Sequence, residues 1–267
     1  RNPLPEPFQG ATDYIRQFFT TRLHYLGPLR EEPRALYSLP PSRDPLDIGL
    51  KGEYTAAVLD AQRDRQIEYW NPDLNKRDIG TLKDAVQVWL LHLEMAESVN
   101  TEETGKLGYS LTIRKAGASK DLDLTNVGFG VSQVLPILVM GLLASPHSTL
   151  IYEQPEIHLH PKIQSQIADF FIGLMQCQKQ CIVETHSEYI INRIRRRVAE
   201  SPDHKILNNT NMLFVENRSG ISNFRKVQIN EYGAINDWPD DFFDESHLEA
   251  DRIIAAVMTK RRAESHE

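Results

Sequence analysis

Three polar junctions hold the residue types that could do chemistry in this chain. Glu153-Gln154-Pro155-Glu156 ends a short apolar run, Leu150-Ile151-Tyr152. Glu184-Thr185-His186-Ser187 ends a second, Cys181-Ile182-Val183. Asn126-Val127-Gly128-Phe129-Gly130-Val131-Ser132-Gln133 opens a long apolar stretch. A carboxylate at a strand tip, such as Glu153, can hold the waters of a phosphate-bound magnesium, which uses few protein ligands. A neighbouring acid or amide can orient an attacking water, and His186 could donate to a terminal phosphate. Glycines at 128 and 130 let backbone N–H groups approach an anion at a helix N-terminus. Each residue alone has a plainer reading. A strand-end glutamate is commonly a cap or ion-pair partner, and a single histidine is commonly structural. Three element ends of matching chemistry point to one shared site.

The elements that must position these residues follow from spacing. An apolar run ending in carboxylates at a proline reads as a buried parallel strand. In open α/β sheets ligands bind outside such carboxyl ends. The block from 131 to 199 predicts a helix at Val131–Ala144, a strand at Thr149–Glu153 and a helix at Pro161–Met175. A strand at Cys181–Glu184 and a helix at Tyr189–Ala199 complete it. This alternation argues a mostly parallel sheet flanked by helices, the α/β class. Upstream, residues 1–10 read as a lead-in, Asp13–Thr21 as helix, Leu23–Leu26 as a strand and 33–47 as a loop. Gly52–Arg65 reads as helix, 72–80 as a polar break and Leu82–Ser98 as an amphipathic helix. Its stripe of Val86, Trp89, Leu90, Leu93 and Met95 is core rather than a base-stacking platform. Tyr109–Ile113 reads as a strand, with Leu122-Asp123-Leu124 as its hairpin partner. Downstream, Met212–Val215 and Phe224–Ile229 form a hairpin, 231–245 an acidic loop, and Ser246–Arg262 a helix opened by a Ser246/Glu249 capping box.

Composition bounds the reading. The 267 residues, 40% hydrophobic and 25% charged, suit a soluble globular chain with a sizeable core. The net charge of −7 builds no general attraction to nucleic acid. Val134–Ala144 is too short to cross a membrane, so the expected location is cytoplasmic. Arg1 is not an initiator residue, and the N-terminus reads as that of a fragment. Cys177 and Cys181 have no second pair to make a metal site and read as buried thiols.

The stretch LIYEQPEIHLHP resembles the Walker B strand of ABC-type ATPases in the RecF, SMC and overcoming-lysogenization group. CIVETHS resembles their switch-histidine strand, and NVGFGVSQVLPIL their signature helix. Tyr25-Leu26-Gly27-Pro28-Leu29-Arg30, with 49–53, resembles a segment of AAA-type ATPases in bacterial defence and repair loci. The tail from Glu231-Tyr232-Gly233 through Trp238-Pro239 to Phe242-Phe243 resembles the C-terminal module of one group of these. The resemblance implies ATP and Mg2+ as cofactors. It puts Glu153 at the magnesium-water position and Gln154 where a catalytic glutamate is usual. His186 becomes the switch histidine and Gly130 the signature glycine. Gly128 falls where a phosphate-binding serine is usual, leaving Asn126 or Ser132 to supply the polar group. It further implies a homodimer or higher oligomer closing head to tail over two ATP molecules, and a nuclease effector as partner in anti-phage defence or DNA repair. The organisation it implies is a lead-in with a helical and β insertion at 1–121, an ATPase core lobe at 122–209 and a C-terminal module at 210–267.

Two departures qualify these expectations. No GxxxxGK followed by serine or threonine occurs in the sequence, so the phosphate cradle is expected upstream of Arg1 or from another source. Gln154 cannot accept a proton as a carboxylate does. Either Glu156 acts as base, or hydrolysis is slow and ATP chiefly clamps the dimer. Other readings stay open: a nuclease using Glu153, Glu156 and His186 on metals, or an inactive scaffold. His158 and His160 with Glu156 lack further ligands for a zinc-type site. Arg193, Arg195, Arg196 and Arg197 form either a solvated helix face or a DNA-phosphate contact. Lys260-Arg261-Arg262 matches a helix C-terminal dipole.

Overall fold

Leu150 and Tyr152 are fully buried, and the architecture around the candidate site follows from covering them. The computed structural model describes residues 6–39, 46–218, 220–236, 238 and 245–264. In chain order the elements begin with α1 (Glu6–Gln17), β1 (Leu23–Leu26), α2 (Thr55–Gln62), β2 (Gln66–Asn71), β3 (Lys76–Thr81) and α3 (Leu82–His92). Next come β4 (Ser98–Glu103), β5 (Tyr109–Arg114), β6 (Leu122–Asp123), α4 (Phe129–Leu143), β7 (Thr149–Glu153), α5 (Pro161–Gln176) and β8 (Gln180–Glu184). The chain continues with α6 (Glu188–Glu200), α7 (Lys205–Asn208), β9 (Met212–Arg218), β10 (Ile221–Val227) and α8 (Glu245–Glu264).

The central sheet is parallel, in the order β1-β7-β8, and flanked by helices, as expected of the α/β class. Its inner face carries Leu150 and Tyr152. The Tyr152 hydroxyl donates to Ile137 O of α4 at 3.3 Å, and its ring lies 5.2 Å from Phe171 of α5. α4 is apolar on every side and buried from Val131 to Leu143, the pattern of a helix packed all round. On the opposite face Tyr25, Ile151 and Ile182 are in register, and Ile182 remains 49% exposed. The buried stripe on α3 is Leu82, Ala85, Val86, Trp89 and Leu90, with Trp89 edge-on to Phe170 at 5.0 Å. Thr81 and Asp84 form the capping box that starts this helix.

Several boundaries differ from expectation. Residues 72–80 are not a plain break: β2 and β3 pair antiparallel across them. Asn71 Oδ1 closes the turn by accepting from the N–H groups of Asp73 and Leu74. β3 is largely polar and half-exposed, while β2 alternates as Gln66-Ile67-Glu68-Tyr69, a strand signal that the reading passed over. The helix from Leu82 ends at His92, where Glu94 turns left-handed at φ 55°, and the polar strand β4 follows to pair with β5. α1 begins at Glu6, within the stretch read as a lead-in. α2 is shorter than its apolar face suggested. The β5–β6 pairing is as expected, through Thr112–Asp123 and Ile113–Leu122.

The chain divides into two compact units, Arg1–Ile194 and Arg195–Glu267. The second contains the β9–β10 hairpin, paired from Met212–Val227 to Arg218–Ile221, and α8. Loop residues 40–45, positions 237 and 239–244 of the acidic loop, and the side chains of Ser246, Arg261 and Arg262 lie outside the described residues. Cys177 and Cys181 are unbridged.

Candidate functional site

Parallel pairing sets Glu153 of β7 directly beside Glu184 of β8, on the same sheet face. Two carboxylates thus stand together at adjacent strand tips. Glu153 accepts a hydrogen bond from the Tyr25 hydroxyl of β1; burial and that carboxylate raise the phenol's pKa. Just beyond the tip, Gln154 takes a left-handed backbone conformation, φ 43°, which is sparsely populated for a residue with a side chain. Two groups hold it. Its N–H donates to Glu184 O at 2.8 Å and to Glu184 Oε2 at 3.2 Å. Its carbonyl accepts from both Arg30 Nη atoms, at 3.2 and 3.1 Å, while Arg30 Nη2 also reaches Glu153 O at 3.2 Å. Arg30 is buried, and burial pulls its guanidinium down to about 10 despite the opposing charge of Glu156.

Glu156 has a different surrounding. It is buried, and both its oxygens are occupied: Oε1 accepts from His186 N at 2.6 Å and Oε2 from Thr185 Oγ1 at 2.8 Å. Its carboxylate therefore organises the turn after β8. Ser187 completes that turn. Its hydroxyl donates to Gln164 Oε1 at 2.6 Å and accepts from Ile190 N at the start of α6. The His186 side chain is mostly exposed, with Nε2 3.2 Å from Glu184 Oε1.

The start of α4 adjoins the loop that follows β7. Phe129 lies 5.7 Å from the His158 ring, and a Cβ on Gly130 would touch Leu159 and Met95. Gly128 is the N-cap, at φ 92° and with open space where a side chain would project; no side chain caps the helix. Asn126 is exposed in the preceding turn. Ser132 is buried, and its hydroxyl donates to Phe129 O at 2.7 Å, within its own helix. Glu153, Gln154, Glu156 and His186 are thus linked through Glu184 and Thr185. Gly130 adjoins Leu159 of the loop after β7, Asn126 and Gly128 are exposed just before α4, and Ser132 is buried and bonded within its own helix.

His158 and His160 do not join Glu156 as ligands, since His160 Nδ1 caps α5 by accepting from Lys162 N. Among the described residues no group of three or more His, Cys, Asp or Glu is placed to hold a metal. One strand-tip carboxylate beside a second still suits magnesium, a hard cation that keeps most of its waters. The four arginines are each engaged: Arg193 with Asp169, Arg195 with Gly233 O and the Trp238 ring, and Arg196 and Arg197 with Glu200. Sequence reasoning gave no role to Arg30 or to the Glu184 carboxylate. The matching pattern of three apolar residues then glutamate in both strands could have singled out Glu184.

Comparison with known proteins adds the following. Residues 59–191 match the AAA ATPase domain family, and residues 207–253 match a family described as Protein of unknown function (DUF3696). Similar solved structures include SMC ATPases described in terms of ATP-driven dimerization and DNA stimulated activation: 13% identity, TM-score 0.42, over 55% of this chain and 83% of that one. An SMC head bound to the C-winged helix domain of ScpA has 12% identity and a TM-score of 0.41, over 56% and 43%. An Smc head with an extended coiled coil, bound to a ScpA domain derived from Pyrococcus furiosus, has 13% identity and a TM-score of 0.38, over 55% and 34%. No match was found among curated proteins. The strand tips β7 and β8, the start of α4 and the turn at His186 all fall inside residues 59–191, and over those residues the chain is an ATPase domain of the AAA family.

Proposed function

We propose that this domain binds ATP with magnesium, hydrolyses it slowly, and uses the bound nucleotide to gate a partner effector. The observation that carries this reading is the pairing of Glu153 with Glu184 at neighbouring strand tips, with His186 joined to them. Glu153 is the group that would hold the metal's water shell. The uncapped start of α4 at Gly128 faces outward and suits an anion held by a second copy, so a head-to-tail homodimer completes the site. In this reading the phosphate cradle comes from outside these residues, since no GxxxxGK followed by serine or threonine is among them. Residues 122–209 form the core lobe, with 1–121 and 210–267 serving it. Slow turnover accords with an amide at 154 and with a Glu156 whose oxygens are both occupied. A nuclease as effector, and a setting in phage defence or DNA repair, rest on the sequence resemblance. No helix among the described residues is long and apolar enough to cross a membrane.

The test is magnesium-dependent ATP turnover by the complete gene product and its Glu153→Gln variant. The reading expects a loss of about 100-fold or more, the scale for removing a group that holds transition-state charge. Turnover unchanged by the substitution, or absent from the parent, overturns it.

A further inference from the structure

We propose that Arg30 is a positioning residue for ATP hydrolysis: by clamping the carbonyls at the β7 tip, it locks Gln154 in the backbone conformation that presents its amide to the attacking water. This rests on the ATPase reading and extends it. Gln154 precedes Pro155, and a residue before proline is ordinarily extended. Its φ of 43° is instead left-handed, a state that a residue with a side chain keeps only where its surroundings impose it. Rotation back to the extended form would carry the side chain in another direction.

Gln154 is gripped at both ends. Its N–H donates to Glu184 O and Oε2. Its carbonyl accepts from both Nη atoms of Arg30, and from Ile157 N at 3.3 Å. Arg30 Nη2 also donates to Glu153 O, and Nη1 to Pro28 O at 3.2 Å, so one planar fork ties the exit of β1 to the tip of β7. The backbone around Arg30 is itself pinned, by Gly27 N to Leu50 O and Glu31 N to Lys51 O, each at 2.9 Å. The side-chain amide of Gln154, in contrast, is half-buried and hydrogen-bonded to nothing among the described residues. A strained backbone fixed from two sides, carrying an uncommitted amide, is the pattern of a group kept for a ligand.

Folding stability does not account for the arginine. It is 5% exposed, and its Nε has no hydrogen-bond partner. Among the described residues no carboxylate forms an ion pair with it, although the charge of Glu156 acts from farther off. A buried cation is weak support for a fold, where an apolar side chain of like volume commonly serves as well. In the step this supports, the Gln154 amide holds a water for attack on ATP. The water oxygen bonds to the terminal phosphorus, the bond from that phosphorus to the bridging oxygen breaks, and its electron pair leaves on ADP. The amide takes no proton; the water's proton passes to an oxygen of the phosphate released. Glutamine orients water in this way in GTPases.

The experiment compares Arg30→Lys, Gln154→Ala and the double variant in the complete gene product. Lysine keeps the charge that faces Glu156 but cannot span the carbonyls as a fork. Arg30→Lys should lower turnover at saturating ATP by about 10- to 100-fold, since a displacement of about 1 Å in a positioned group can cost about 100-fold. The Michaelis constant for ATP and the melting temperature should stay near the parent's. The double variant should lose no more than Gln154→Ala alone, because Arg30 acts through that residue. A second readout needs no turnover: hydrogen exchange at the Gln154 and Ile157 amides should run about tenfold faster or more in Arg30→Lys, with the core amides of the first unit unchanged. Parental turnover in Arg30→Lys, losses that multiply in the double variant, or unchanged exchange at those two amides each overturn the assignment. So does a Michaelis constant or melting temperature that falls away with turnover, the mark of general loosening. The ATPase reading is judged separately, by Glu153→Gln; if it fails, Arg30 has no reaction to position for, whatever the exchange shows.

Discussion

Replacing Glu156 by alanine should unfold the first unit far more readily, while replacing it by glutamine should not. The carboxylate is buried and makes two short hydrogen bonds, 2.6 Å to His186 N and 2.8 Å to Thr185 Oγ1. Bonds to a charged acceptor contribute about 1.5–3 kcal/mol each. Thr185 can turn its hydroxyl elsewhere, but the His186 N–H cannot, and Arg30 would lose the negative charge that offsets its own burial. Breaking one side of a buried charged arrangement costs about 3–5 kcal/mol, and that is the expected loss for Glu156→Ala. Glutamine keeps one oxygen for His186 N and offers an N–H to Thr185 Oγ1, so about 1–2 kcal/mol should go. Urea unfolding followed by tryptophan fluorescence reads this, because Trp89 is buried in the same unit. The slope against urea should stay constant while the midpoint moves. A loss below about 1 kcal/mol for alanine would refute the structural role. So would a glutamine variant of parental stability that has lost turnover, since that is the signature of a base.

Two more outcomes follow from other parts of the fold. The Asp169 carboxylate beside His92 raises the imidazole pKa above 6.5, opposed by burial and helped by Asp73. A raised value in the folded state stabilises fully below the unfolded value and is lost as pH rises through the folded one. The stability gap between the parent and His92→Asn, taken from thermal melts, should therefore shrink from pH 5.5 to pH 8, about the range over which imidazoles titrate; a gap that widens counts against the pair. Gly108→Ala should cost about 3 kcal/mol or more in urea unfolding: its φ is 117°, and a Cβ would collide with Tyr37 O. A near-neutral result would mean that the Tyr37–Tyr109 bridge is dispensable.

The chain's own order of residues determined the strands that end at the site. Thr149–Glu153 announces itself because a buried strand must be a nearly unbroken apolar run whose polar end faces out, and β8 shows the same three apolar residues before a glutamate although Ile182 stays exposed. The same order determined α4 and the stripe on α3, since burial requires those apolar positions. The strands β3 and β4 left no such mark, for they are largely polar and mostly exposed or half-exposed, held by backbone pairing that any side chain permits. Only the tertiary structure decided which polar groups meet. Arg30 reaches Gln154 across 124 positions, and Glu184 stands beside Glu153 because two parallel strands align in one register. A shift of one residue would have turned one of those acids to the other face. That register depends on how the whole inner face packs, and local spacing carries no record of it.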